Sequence, residues 1–362
     1  MTQSDDRIVL AAAGSGKTTT AVKLACENTE KRTALITYTL NGRSELEARA
    51  YRGFGAIPPH VTISTWYSFV LTHFVRPYQN HLHDRRVDTI NFERAPIARR
   101  RFRKNQIAPY FFSSPNRIWS DRATDFACKL IDETDGQPIN RIQGVFDLIV
   151  VDEAQDLAGW DLELIDRLLK SSVEVALIGD HRQATFSTND NPKNKKFAGE
   201  KIIERFKDWE RDGFVHIEHQ SHSHRCVQEI CDFADQFFPD CEPTASRNSR
   251  TTGHDGVFLI RQKDVERYFR EFAPQTLQWS KAGGGKIGTP LNFGDAKGMT
   301  FERVLIYPHK NFRDFLKTGN MDLAGQSKTK TYVAVTRARQ SVAIVVPDNF
   351  TPKVGAIFEF QG

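Results

Sequence analysis

A chain of 362 residues, at roughly 100 to 200 residues per domain, has room for two or three domains and ample buried core. Hydrophobic residues at 39%, charged residues at 26%, 23 Gly and 15 Pro exclude a fibrous or low-complexity chain, and no apolar run approaches the roughly 18 residues of a membrane span. Five cysteines (26, 128, 226, 231, 241) without a CxxC pair argue against a zinc knuckle or disulfide framework, and the polar start Met1–Arg7 lacks a signal peptide's apolar core, so the expectation is a cytoplasmic protein.

In chain order, Ile8–Ala11 reads as a strand, Ala12–Gly16 as a loop and Thr19–Cys26 as a helix. The loop carries Ala13-Gly14-Ser15-Gly16-Lys17-Thr18. Its glycines let backbone N–H groups close round phosphates at a helix start, with Lys17 reaching the outer phosphates, Thr18 a ligand for Mg²⁺, and Thr19 beside them. Further strands are expected at Ala34–Tyr38 and Val61–Ile63. The span 76–144 then interrupts the strand pattern, with Pro96, Pro109, Pro115 and Pro138, and reads as a mostly helical insertion. Its segment Arg76–Lys104 holds nine Lys/Arg against three Asp/Glu, while the whole chain carries only +5. That concentration suits a phosphate backbone, or simply a solvated basic helix.

The strand Asp147–Val151 ends in Asp152-Glu153, and the strand Val173–Ile178 ends in Gly179-Asp180-His181-Arg182-Gln183. Carboxylates at a strand's C-terminal end open onto the crevice where a doubly wound sheet binds ligands. Asp152 suits Mg²⁺, Glu153 an attacking water, and the Gln183 amide a terminal phosphate. A polar, turn-rich stretch from Asn189 to Phe197 precedes a boundary at Asp212–Gly213. Beyond it, strands are expected at Phe214–Glu218, Val257–Ile260, Arg303–Ile306 and Ser341–Val346, with Ala282–Gly285 a loop. His224-Arg225 follows the first of these, and Tyr332-Val-Ala-Val-Thr336-Arg337-Ala338-Arg339 leads into the last. Arg225 and Arg337 are either groups that offset charge on a transferring phosphoryl or structural ion-pair partners.

Taken in order, these motifs resemble superfamily 1 DNA helicases of the UvrD/Rep/PcrA type, over most of the chain from Ile8 to Val346. The resemblance implies an α/β fold of two RecA-like domains with parallel sheets: 1–75 with 145–212 as the ATP-binding domain, 76–144 as a small basic insertion, and 213–362 as the second domain. It implies ATP and Mg²⁺ as cofactors. Lys17, Glu153, Gln183, Arg225 and Arg337 become catalytic, Thr18 and Asp152 metal ligands, and Ala13–Thr19, His224 and Gly298 nucleotide contacts. Thr37-Tyr38-Thr39-Leu40-Asn41 and Ser64-Thr65-Trp66-Tyr67-Ser68-Phe69 look like the family's single-strand track. DNA contacts are accordingly expected from Thr37, Tyr38, Asn41, Thr65, Trp66 and Phe186, with Tyr38 and Trp66 equally readable as core residues. Arg99, Arg100 and Arg101, in the run to Lys104, are expected on the DNA backbone.

Two departures stand out. His224 and Thr300 replace the aromatic and the glutamate of the family pattern, and only 72 residues separate Arg225 from Lys297, too few for the family's 2B domain. The reading is a DNA-stimulated ATPase working as a helicase or translocase on single-stranded or tailed DNA. The alternative is an ATP-dependent DNA sensor serving a nuclease partner, similar to helicase components of anti-phage systems of the Gabija type. A P-loop kinase explains neither GDHRQ nor YVAVTRAR.

Overall fold

The computed structural model describes residues 5–93, 101–185, 192–280, 287–321 and 326–359. The described residues fall into two compact units. The first gathers those of Met1–Leu10, Lys17–His181 and Phe186–Glu218, and the second those of Ala11–Gly16, Arg182–Thr185 and His219–Gly362.

The first unit is built on a six-stranded sheet. Its strands are β1 (Arg7–Ala11), β2 (Thr33–Thr37), β3 (Val61–Thr65), β7 (Leu148–Asp152), β8 (Glu174–Gly179) and β9 (His216–Gln220), in the order β3-β2-β7-β8-β1-β9. The strand β9 runs on into the second unit at His219. The pairs β1–β8, β7–β8, β2–β7 and β2–β3 are parallel. Buried on both faces, β2 and β7 are buried at every position, as a helix-covered parallel strand requires. Helices α1 (Lys17–Glu27), α2 (Leu40–Phe54) and α3 (Trp66–Val70) follow β1, β2 and β3. The Thr39 hydroxyl caps α2 by accepting from the Gly42 N–H, and Gly55 ends it at φ 75°, a left-handed position that favours glycine. One turn of π-helix, Leu71–Val75, extends α3.

The insertion contains α4 (Ile107–Phe111), α5 (Ser120–Glu133) and α6 (Gln137–Val145). It also holds strands that the sequence reading did not anticipate: β4 (Thr89–Asn91), β5 (Phe112–Ser114) and β6 (Arg117–Trp119), in the order β4-β6-β5. Strands of three residues are too short to show a two-residue period. Phe111, Phe112 and Phe126 join Trp66, Phe69 and Phe74 in one apolar core, so insertion and sheet share their interior. Helices α7 (Trp160–Leu169) and α8 (Ile202–Arg211) complete the unit.

The second unit opens with the short pair β10 (His222–Ser223) and β11 (Ala245–Ser246). Its main sheet comprises β12 (Gly256–Arg261), β13 (Gln275–Gln278), β14 (Leu291–Asn292), β15 (Phe301–Tyr307), β16 (Ala338–Val346) and β17 (Ala356–Ile357), ordered β14-β13-β15-β16-β12-β17. Its pairs are parallel. Helices α9 (Gln228–Asp235), α10 (Val265–Phe272), α11 (Lys310–Thr318) and α12 (Gln326–Val335) accompany it. His254 is buried between the rings of Phe258 and Phe272, at 4.2 and 3.8 Å, with Nε2 2.7 Å from the Tyr268 hydroxyl. The fold is thus α/β with two parallel sheets, as expected from the sequence.

Candidate nucleotide site

In the first unit, strand register brings the motifs to one edge. Ile178 of β8 pairs with Val9 of β1 on one side and with Asp152 of β7 on the other. The segments leaving these three strands therefore begin level, at their C-terminal ends, where an open parallel sheet binds its ligand. Lys17 and Thr18 start α1. Asp152 ends β7 and is 3% exposed, and the Thr18 side chain hydrogen-bonds its carboxylate. Burial and the neighbouring Glu153 charge push the Asp152 carboxyl up, against the opposing pull of the Lys17 ammonium and the Thr18 hydrogen bond. Two carboxylates side by side, one of them buried, form a pair that a bound cation would offset. The donor set, one hydroxyl and one carboxylate, matches the way Mg²⁺ is held beside phosphates.

Glu153 adopts φ 58°, ψ 39°, a left-handed conformation costly for a residue with a Cβ and typical of a side chain that must point one way. Its N–H donates to Asp152 Oδ1 at 3.0 Å. A single 3₁₀ turn, Ala154–Asp156, follows. Gln155 is 2% exposed: its Nε2 donates to Glu153 Oε2, and its Oε1 accepts from the Asp180 N–H at 2.9 Å. The sequence reading passed over Gln155, although it stands in the same five residues as Asp152 and Glu153.

The loop residues Ala11–Gly16 group with the second unit. Gly14 and Gly16 have φ of 81° and 95°, accessible to glycine at little cost. A Cβ on Gly14 would lie 2.6 Å from both Arg225 Cβ and Ser223 Oγ, and the Gly14 carbonyl accepts from the His224 N–H at 2.9 Å. Ala13 is buried in the second unit's core. The Ser15 hydroxyl is buried without a hydrogen-bond partner among the described residues, which marks a position for an acceptor or donor from a ligand. Thr19 is exposed, and its hydroxyl accepts from Arg49 at 2.7 Å.

Elsewhere in the second unit, Arg337 is 1% exposed and bound by protein acceptors. Its Nε donates to the Val333 carbonyl at 3.0 Å, Nη1 to the Met299 carbonyl at 3.3 Å, and Nη2 to Gln183 Oε1 at 3.0 Å. Arg225 Nη1 donates to the Thr336 carbonyl at 2.9 Å. Gln183, Arg225 and Arg337 thus gather round the Thr336–Arg337 turn. Arg182, 3.4 Å from Asp235 and 5.0 Å from the Tyr332 ring, lies in the same unit. His224 is exposed, and Gly298 sits in an exposed turn at φ 83°.

The residues expected on a single-strand track divide. Trp66 is 0% exposed and donates from Nε1 to Asp161 at 2.8 Å, so it belongs to the core and cannot stack on a base. Thr37 and Thr65 are buried as well, Thr65 capping α3 through Ser68. Thr37 and Thr65 close β2 and β3, and Trp66 opens α3 directly afterwards. Tyr38 is half-buried against Trp66, with ring centroids 5.9 Å apart, and Asn41 is exposed. In the basic run, Arg101 is exposed, but Lys104 is held 2.5 Å from buried Asp125 and 3.9 Å over the Trp160 ring. Phe186, Arg99 and Arg100 lie outside the described residues.

A parallel sheet with a glycine-rich loop, Lys-Thr and a strand-end carboxylate defines a P-loop nucleotide-binding protein. Residues 1–189 match the family model of the AAA domain, and residues 114–346 match that of the viral superfamily 1 RNA helicase core domain. The chain belongs to the superfamily 1 helicases. None of the curated proteins compared with it matches. Among solved structures, it is similar to the arterivirus nonstructural protein 10 helicase (16% identity over 95% of this chain and 60% of that one, TM-score 0.46) and to the same helicase in complex with DNA (15%, 95%, 61%, TM-score 0.48). It is also similar to the PRRSV helicase (15%, 95%, 53%, TM-score 0.44). The chain spans about three fifths of the length of the first of these.

Proposed function

We propose that this protein is an ATP-hydrolysing motor of the UvrD-like kind that acts on single-stranded or tailed DNA as a helicase or translocase. The observation that carries the reading is the edge of the first sheet, where Thr18 bonds buried Asp152 and Glu153 is held beside it. Mg²⁺ would be held by Thr18 and Asp152, and supplies charge neutralisation to the phosphates when bound. Lys17 binds the outer phosphates. Glu153 orients the water and takes its proton as the water oxygen bonds to the terminal phosphorus, while the bond to the bridging oxygen breaks and ADP leaves. Gln183 senses the terminal phosphate, and Arg225 and Arg337 offset the charge that develops. The loop Ala13–Thr19, His224 and Gly298 complete the nucleotide contacts.

The working domains in this reading are 1–75 with 145–212, the basic insertion 76–144, and 213–362. Tyr38, Asn41 and Arg101, together with Phe186, Arg99 and Arg100, supply the nucleic-acid contacts. Among the described residues no helix is long and apolar enough to cross a membrane, in keeping with work in the cytoplasm.

A second reading, a DNA-sensing ATPase subunit of a nuclease-containing anti-phage complex, is favoured by the spacing of 72 positions from Arg225 to Lys297, which leaves no room for a 2B domain. The test is ATP hydrolysis by the wild type and Lys17→Ala, without nucleic acid and with single-stranded DNA or RNA, followed by unwinding of a 3′-tailed duplex. DNA-stimulated turnover with unwinding supports the motor, and stimulation without unwinding supports the sensor. Stimulation by RNA alone reassigns the substrate.

A further inference from the structure

Gln155 is a buried polar side chain beside Glu153 to which no step has yet been given. It makes two hydrogen bonds to two different strand ends. Its Nε2 donates to the Glu153 carboxylate after β7, and its Oε1 accepts from the Asp180 N–H after β8. The amide has one donor end and one acceptor end, so these contacts hold it in a single orientation. The neighbouring strand is shaped to receive it: a Cβ on Gly179 would lie 2.6 Å from Gln155 Oε1 and 3.0 Å from its N, so only bare backbone admits the side chain there. Glu153 itself occupies a left-handed conformation, in which its direction depends on what grips its carboxylate.

We propose that Gln155 is a positioning residue that aims the Glu153 carboxylate at the attacking water, using the end of β8 as its anchor. The assignment rests on the reading of Glu153 as the base. Asp180 is followed in sequence by His181, Arg182 and Gln183, so the peptide that anchors Gln155 also begins the segment proposed to sense the terminal phosphate. Gln155 thereby ties the aim of the base to the place where that segment leaves the sheet.

The experiment compares Gln155→Met, which keeps length and loses both bonds, Gln155→Glu, which keeps an acceptor and sets a carboxylate against Glu153, and Gly179→Ala, which displaces the side chain from outside. Single-turnover and steady-state phosphate release are measured with ATP, Mg²⁺ and single-stranded DNA, alongside nucleotide affinity and thermal unfolding. Misplacement of a reacting group costs up to about 100-fold in rate. The expected result is a loss of about 10- to 100-fold in kcat for all three, with KM and nucleotide affinity within about twofold of the wild type. In a Glu153→Gln background the same substitutions should have almost no further effect, because residues that act through one group are not additive. An unchanged kcat, or an undiminished loss in the Glu153→Gln background, overturns the proposal while leaving Glu153 as the base. Turnover by Glu153→Gln equal to the wild type overturns the base assignment, and the role of Gln155 with it.

Discussion

The two units treat their charged groups in opposite ways. At the edge of the first sheet, burial and then the neighbouring Glu153 carboxylate push the Asp152 carboxyl up, against the Lys17 ammonium, the Thr18 side chain and the Glu153 N–H. In the second unit the Arg337 guanidinium is deeper still, but bonds to the Val333 and Met299 carbonyls and to Gln183 satisfy it. The first arrangement sets two carboxylates against one ammonium. The second sets its buried guanidinium among protein acceptors. Buried charge is tolerated where it is paired and hydrogen-bonded, and the two units reach that with opposite signs.

Substitutions separate the two cases. The largest expected effect is at the first edge: Lys17→Ala or Glu153→Gln should lower ATP turnover by about 10³-fold or more, with thermal stability close to the wild type for Glu153→Gln, which keeps the side chain's shape, and somewhat lower for Lys17→Ala, which removes the ammonium opposite buried Asp152. A midpoint drop of many degrees in either variant would break the comparison. Next, Arg337→Ala should lower turnover by about 10³-fold and also destabilise the fold by about 3 kcal/mol, since it removes three hydrogen bonds made by a buried guanidinium. Denaturant unfolding measures the second effect, and stability equal to the wild type would show that the Arg337 hydrogen bonds contribute nothing to the fold.

A smaller effect tests the settled character of the second unit by pH. Burial first, then the Arg303 charge, lowers the His254 pKa to about 4. The ordinary value is near 6.5, so the folded state holds His254 neutral while the unfolded chain takes up a proton below that pH. Its stabilising contribution is complete above about pH 6.5 and is lost as pH falls towards 4. Unfolding temperature should therefore decline between pH 7 and pH 5, and decline less in His254→Phe. His73 and His309, also lowered to about 4, keep some slope in that variant. The smallest effect belongs to the exposed pair Arg32–Asp147, at 2.8 Å, which holds the Asp147 pKa at about 2. Arg32→Ala should shift the unfolding midpoint least of these variants, and still less in high salt.

How much of this was legible in the sequence depended on whether a feature is local. The buried strands announce themselves as apolar runs, and the motifs at their ends are contiguous, so the sheet edge bearing Lys17, Thr18, Asp152 and Glu153 could be anticipated from spacing and strand polarity. The fate of Trp66 could not be. Its neighbours look like a nucleic-acid surface, yet its indole N–H is satisfied by Asp161, 95 residues away. Lys104 is a similar case, its charge spent on Asp125 and on the face of Trp160. The three-residue strands β4 to β6 have no periodicity to detect. Gln155 stood in plain view, but its meaning depends on the Asp180 N–H, which only the pairing of β7 with β8 brings close.

The contact at Gly14 has a consequence for transplanting this loop. Its requirement for glycine comes from the loop's own backbone angle and, independently, from Arg225 Cβ and Ser223 Oγ more than 200 positions later in the chain. The loop and the Ser223–Arg225 segment therefore form a single heritable module. A chimera that carries one without its native counterpart would place a mismatched surface against the phosphate loop, even if every letter of the loop were kept.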